Sequence, residues 1–138
     1  MSNPTDLQAF AHAFTDLLDA GDHDTAVNQH HTDDVVYVEA CDFPGDDPHM
    51  KRVTEGLDAV KAGQKWWMEN HEVHGGETRG PFLFLPDRFG VYMTLDVTPK
   101  VGPTAGQRQT MEELCLYTVR NGKVSRAEFF YDLPPETA

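Results

Sequence analysis

Two places in this chain set carboxylates inside strand-forming sequence. Glu112 and Glu113 are adjacent in QTMEELCLYTVR, and Glu39 lies near the end of VVYVEA. Side chains alternate across a strand, so one of Glu112 and Glu113 must point to each face, while Val35, Tyr37 and Glu39 share one face. If one face lines a closed core, a carboxylate points into it. Burial there disfavours the charged form and raises the carboxyl pKa towards neutrality. Two such acids in one cavity separate into a base and an acid at a single pH, and the chemistry this supports is proton transfer. Plainer readings stand beside it. Glu39 at a strand end is equally a solvated rim residue, and Glu113 can pair across a sheet with Arg108 or Arg126. A slip of one residue exchanges Glu113 for Glu112.

The elements that must hold these residues follow from periodicity. Gln109 to Asp132 carries two runs of β-branched and aromatic residues around Asn121-Gly122, the dipeptide best suited to a tight hairpin turn. Leu7, Phe10, Ala11, Phe14, Leu17 and Leu18 repeat at three and four residues after a cap at Thr5-Asp6, which predicts an amphipathic helix ending at Gly21. A short helix over 22–31 places Ala26 and Val27 inward, and a strand follows over 35–40. Residues 41–54 form a Pro/Gly/Asp loop read as mobile. A third helix spans 56–71, with Val60, Trp67 and His71 near one face. Strands are predicted over 73–79, 82–85 and 89–98, with a turn at 86–88 and a second flexible loop over 99–107. Alternation alone puts Val91, Met93, Leu95 and Val97 in the core. Helices first and a meander later is an α+β order, with three helices on one face of a curved sheet and a ligand pocket at the open end of the cone.

Composition excludes several partners. Residues 1–138 amount to one domain's length. The net charge is −12, from 23 acids against 11 Lys and Arg, and no basic cluster appears. Nucleic acid and anionic membrane surfaces both need a positive footprint, so neither is an expected partner. No apolar run approaches the ~20 residues of a membrane span, and MSNPTDLQAF lacks a signal peptide's basic start and apolar stretch. Cys41 and Cys115 are isolated, and a reducing, cytoplasmic setting follows. Cys115 reads as a packing residue, having no basic neighbour in sequence. His71-Glu72-Val73-His74 has its histidines three apart where a metalloprotease helix needs four, so no metal site is assigned. His30-His31 reads as a pair of cations favoured at a helix C-terminus.

Three segments, GLDAVKAGQKWWMENHEVH, FGVYMTLDVTPK and MEELCLYTVRNGKVSRAEFFYD, resemble the SnoaL-like branch of the nuclear transport factor 2-like (NTF2-like) superfamily. The resemblance runs from the first helix to Asp132 and implies the cone fold with a hydrophobic pocket. Its members include isomerases, cyclases, epoxide hydrolases, dehydratases and binding domains, so fold alone selects no chemistry. The resemblance puts Glu39 where steroid isomerases keep their base, and Tyr37-Val38-Glu39 where limonene epoxide hydrolases keep a Tyr-x-Asn pair. Asp96 matches the hydrolase's Arg-x-Asp aspartate, but Thr94 replaces the arginine and Phe129 the second aspartate, which argues against epoxide hydrolysis. The isomerase's oxyanion-holding aspartate falls near Cys115, one inward position from Glu113.

The implied inward sets are Met111, Glu113, Cys115 and Tyr117 on one strand and Ala127, Phe129 and Tyr131 on the other. The expected catalytic residues are then Glu39 as base, Glu113 as protonated donor, Tyr37 or Tyr131 on a substrate oxygen, and Asp96. The expected ligand contacts are Trp67, His71, Met93, Phe129 and Tyr131, with strand register choosing between Met93 and the Thr94–Asp96 face. The ligand expected is a small hydrophobic molecule, turned over by isomerisation, cyclisation or dehydration without a cofactor. A non-catalytic binding or interaction domain is the alternative. Under either, the resemblance implies a homodimer through the outer sheet face, at Leu114, Leu116 and Phe130.

Overall fold

The computed structural model describes residues 4–43 and 47–133, with side chains from residue 6 onward. The cap expected at Thr5 therefore lies in part outside the described side chains, and so does the middle of the loop predicted over 41–54. Helix α1 (Pro4–Asp19) turns Leu7, Ala11, Phe14 and Leu18 to the core, the stripe its spacing dictates. It closes through Gly21, whose φ of 76° lets Asp22 N donate to Leu17 O (2.8 Å) and Gly21 N to Leu18 O (3.0 Å). The Asp22 carboxylate then caps α2 (His23–His30) by accepting from Thr25 N at 3.2 Å. Ala26 and Val27 are buried, as predicted.

Strand β1 (His31–Val38) begins four residues before the predicted start, and Glu39 falls just beyond its end. The early start escapes notice in the sequence because Asp33 and Asp34 are exposed and break the apolar pattern. A three-residue strand β2 (Val53–Glu55), read from sequence as loop, pairs with β1, and Glu39 N donates to Arg52 O at 2.7 Å beside it. Helix α3 (Leu57–Glu69) leads into β3 (His71–Phe84), one long strand where two were predicted. Gly80 and Pro81 put an irregularity into its pairing with β4, between Arg79 and Phe82, without ending it. The strands β4 (Arg88–Pro99), β5 (Gln109–Arg120) and β6 (Lys123–Phe130) complete the chain's elements.

The six strands form one mixed sheet in the order β2-β1-β6-β5-β4-β3, parallel at β1–β6 and antiparallel elsewhere. Its inner face carries Val35, Phe89, Val91, Met93, Val97, Cys115, Tyr117, Val124 and Ala127, packed on the apolar stripe of α1, on Ala26 and Val27 of α2 and on Val60 of α3. Phe14 meets Tyr117 edge-on at 4.9 Å and Phe89 at 5.9 Å, joining helix to sheet. This is the α+β arrangement of three helices on a curved sheet. Among the described residues no helix is long and apolar enough to cross a membrane.

The Asn121-Gly122 turn sets the β5–β6 register, with φ of 53° and 74° at its two residues. A Cβ at Gly122 meets nothing within 4 Å, so only the backbone conformation opposes a side chain there. Gly122→Ala is expected to lower stability by about 1 kcal/mol, read as a fall in the urea midpoint with no change in slope. An unchanged midpoint refutes this account of the turn.

Candidate active site

The alternation of β5 is resolved by its neighbours. Cys115 and Tyr117 are buried and pair with Phe129 and Ala127, so Glu113 shares their inner face and Glu112 is exposed on the other. Glu112 instead lies near Tyr92 on the outer side and raises the pKa of its hydroxyl. The cross-strand partners considered for Glu113 are engaged elsewhere: Arg108 holds Asp96, and Arg126 lies 3.4 Å from Glu128. Glu113 has the thiol of Cys115 as its near neighbour, Sγ to Oε1 3.6 Å.

Glu39 reaches the same region from the end of β1. Its Oε2 accepts the Tyr131 hydroxyl at 3.1 Å, a contact that spans 92 residues of sequence because β1 and β6 lie side by side. Tyr37 points inward, one strand position before Glu39 on that face. Its ring meets Phe129 edge-on at 5.2 Å, and its hydroxyl lies 2.6 Å from Nε2 of His31.

Burial controls the electrostatics. The Glu113 carboxyl is pushed up from 4.5 to about 7, first by loss of water and then by the negative charge of Glu39, against a smaller opposing pull from the Cys115 thiol. Glu39 is raised by burial and partly restrained by the Tyr131 hydrogen bond. The two acids are thus electrostatic neighbours, both raised by burial. Burial also raises Tyr37, Tyr131 and the Cys115 thiol, keeping all three protonated at neutral pH. A protonated Cys115 is a packing residue and weak donor rather than a nucleophile.

Other expected site residues stand elsewhere. Asp96 is not in the cone: it lies on the outer face, held by Arg108 through Nε–Oδ1 (2.9 Å) and Nη2–Oδ2 (2.7 Å). The β4–β5 register runs without a break from Arg88 to Val97, so Met93, opposite Glu113, turns inward and the even-numbered Asp96 turns out. That ion pair holds the Asp96 carboxyl below its usual value, the reverse of a buried acid. Trp67 and His71 stack on one another at 4.1 Å, and His71 Nδ1 lies 2.8 Å from Trp67 O. His71 pairs with Pro99, six residues along β4 from Met93, which is roughly 20 Å of strand. The couple is therefore offset from the acids in the sheet.

His31 was read from sequence as a cation at a helix end. It is instead 2% exposed, and burial holds it neutral, with a pKa of about 4. A register shift between His31 and Val36, with Asp33 and Asp34 exposed, interrupts the alternation, so no local pattern marks His31 as inward. Two surface clefts, of about 350 and 390 Å³, lie outside the cone: one over Gly75–Glu77 and Thr94–Asp96, the other between Asp42–Phe43 and Met50–Val53. Among the described residues no group of three or more His, Cys, Asp or Glu side chains is placed to hold a metal.

A family model for SnoaL-like domains matches residues 6–131. The chain belongs to the SnoaL-like family. This SnoaL-like protein is 40% identical to a solved structure from Mesorhizobium loti provisionally described as a SnoaL-like polyketide cyclase and also labelled a carbohydrate phosphatase. The match has a TM-score of 0.79 and covers 89% of this chain and 97% of that one. A provisionally described polyketide cyclase from Xanthomonas campestris pv. campestris (16% identity, TM-score 0.69, 99% and 97% covered) shares the fold. So does a provisionally described isomerase from Rhodopseudomonas palustris (13% identity, TM-score 0.61, 92% and 89% covered). No curated protein matches the chain.

The buried acid makes a stability prediction. Because the folded pKa of Glu113 lies above its unfolded value, the unfolded chain releases this proton first and stability falls as pH rises from about 4.5 to 7. The loss is on the order of 2–3 kcal/mol. Glu113→Gln should flatten this limb relative to wild type and melt higher at pH 8. Parallel curves for the two proteins contradict the assignment.

Proposed function

We propose that this SnoaL-like protein binds a small hydrophobic carbonyl compound at the mouth of the cone and moves a proton on it, as an isomerase, cyclase or dehydratase needing no cofactor. The observation that carries the reading is Glu113: a carboxyl on the inner sheet face, half protonated near pH 7, beside Glu39, whose carboxylate accepts the Tyr131 hydroxyl. Glu39 acts as the base and takes a proton from the carbon next to the carbonyl. Negative charge moves to the carbonyl oxygen, where protonated Glu113 donates a hydrogen bond as the charge develops. Return of the proton from Glu39 to a different carbon gives isomerisation. Attack of the enolate carbon on a second carbonyl gives cyclisation. The provisional description of the 40% identical relative as a polyketide cyclase is in keeping with this chemistry.

A non-catalytic binding or interaction domain is the second reading, favoured by the position of both surface clefts outside the cone. On the outer face Leu114 and Phe130 are opposite one another in register and 44% and 48% exposed, and with Leu116 they form the surface through which we propose a homodimer. Leu116→Glu should then lower the sedimentation coefficient; an unchanged profile removes this interface.

The test of activity is exchange of the α-protons of an aromatic 1,3-diketone for deuterium, followed by NMR. The rate should rise as Glu39, its carboxyl lifted above the usual range by burial, ionises, and fall as Glu113 loses its proton near pH 7. Glu39→Gln should slow it by about 100-fold or more. Exchange no faster than buffer, across diketones of several sizes, replaces the enzyme with the binding domain.

A further inference from the structure

His31 and Tyr37 form a buried couple that the acid/base scheme does not use. His31 Nδ1 lies 2.8 Å from Ala26 O, and Nε2 lies 2.6 Å from the Tyr37 hydroxyl. A carbonyl oxygen only accepts, so Nδ1 must carry the hydrogen. The ring is neutral, since burial holds it far below protonation at physiological pH. Its one N–H is spent on Ala26, which leaves Nε2 as a bare acceptor. The Tyr37 hydroxyl is then the donor of the second bond, and its only proton points at His31. What Tyr37 offers in any other direction is a lone pair.

Tyr131 is committed in a parallel way, because its hydroxyl proton is given to Glu39. The two phenols considered for polarising a substrate oxygen are thus both occupied as donors. Tyr37 nevertheless sits among the site's ionisable groups: Glu39, Glu113 and Cys115 all bear on its hydroxyl electrostatically.

We propose that His31 is a positioning residue that turns the Tyr37 hydroxyl proton away from the acid pair, so that Tyr37 acts in the site only as an acceptor and selects ligands with a hydroxyl or enol donor at that point. This rests on the proposed use of the same site and sharpens it. The preferred ligand class becomes a hydroxy-ketone or enolised diketone, with the carbonyl oxygen facing Glu113 and the hydroxyl facing Tyr37. A purely structural histidine predicts the same two hydrogen bonds but no effect on the acids or on ligand choice.

The first readout needs no variant and no activity. Nitrogen-15 NMR of the wild-type imidazoles should show His31 as the Nδ1–H tautomer from pH 5.5 to 8; an Nε2–H tautomer, or a charged ring, overturns the proposal. The second readout is carbon-13 titration of Glu39 and Glu113. In His31→Ala the freed Tyr37 proton should turn to a carboxylate and lower the pKa of at least one acid by about 1. In the double variant His31→Ala/Tyr37→Phe that drop should vanish. Equal titrations in wild type and His31→Ala, or a drop that persists without Tyr37, reduce His31 to packing.

The third readout compares 4-hydroxyacetophenone with 4-methoxyacetophenone by NMR binding titration. The hydroxyl compound should bind about 10-fold tighter to wild type and lose that advantage in Tyr37→Phe. An equal affinity for both compounds refutes the selectivity. If the tautomer and titrations hold but neither compound binds, the assigned ligand class is overturned and the proton placement stands. If the diketone exchange of the preceding section fails while 4-hydroxyacetophenone is preferred, catalysis falls and the acceptor site remains.

Discussion

A two-residue turn and the register shift beside it decide the direction of the side chains on the last two strands. Asn121 and Gly122 adopt the left-handed backbone that matches strand twist and pair Arg120 with Lys123 and Val119 with Val124. A register shift between Thr118 and Val119 then sets Ala127 against Tyr117 and Phe129 against Cys115. With that pairing set, alternation sends Glu113, Cys115 and Tyr117 inward and Glu112, Leu114 and Leu116 outward. A slip by one position would put Glu112 in the cone and Leu116 in the core. The long unbroken pairing of β5 with β4 resists such a slip from the other side.

The acid carried inward this way opposes folding. Desolvation of Glu113 is offset only in part, by a thiol at 3.6 Å, and Arg108 and Arg126 are engaged with Asp96 and Glu128 instead. The fold absorbs the penalty by keeping the proton. Asp96 shows the contrasting solution one strand position from the inward Val97: the same functional group on the outer face, ionised and gripped by a guanidinium. One sheet thus raises the pKa of one carboxyl and lowers that of another, according to the face each occupies.

Much of this was legible in the residues. The stripe of α1 and the hairpin with its turn follow from spacing, and the resemblance supplies the cone and the inward set of β5 and β6. Asp96 was misplaced because a family correspondence was preferred to the alternation of Val91, Met93, Leu95 and Val97, which had pointed the right way. His31 was missed for a different reason. Asp33 and Asp34 hide the start of β1, so a buried strand residue looked like the last residue of a helix. Strand β2 is three residues long and pairs with β1 alone, too little to leave a periodic signal. Trp67 and His71 share a helix face in sequence, but the sheet register that offsets them from Glu113 is a long-range fact no local pattern carries.

The strand order has a consequence for when the molecule becomes itself. β6, the last strand along the chain, sits in the middle of the sheet, between β1 and β5. Until residues 123–130 are in place, β2-β1 and β5-β4-β3 are two half-sheets with no shared edge. Glu39 then belongs to one half and Glu113 to the other, each solvated and each an ordinary carboxylic acid. The unusual protonation behaviour is therefore a property of closure, absent from a chain still emerging from the ribosome and acquired in one step when the final strand docks. Pairings of such long sequence separation form slowly. A growing chain in this way meets the cost of burying these carboxyls only when the whole sheet exists.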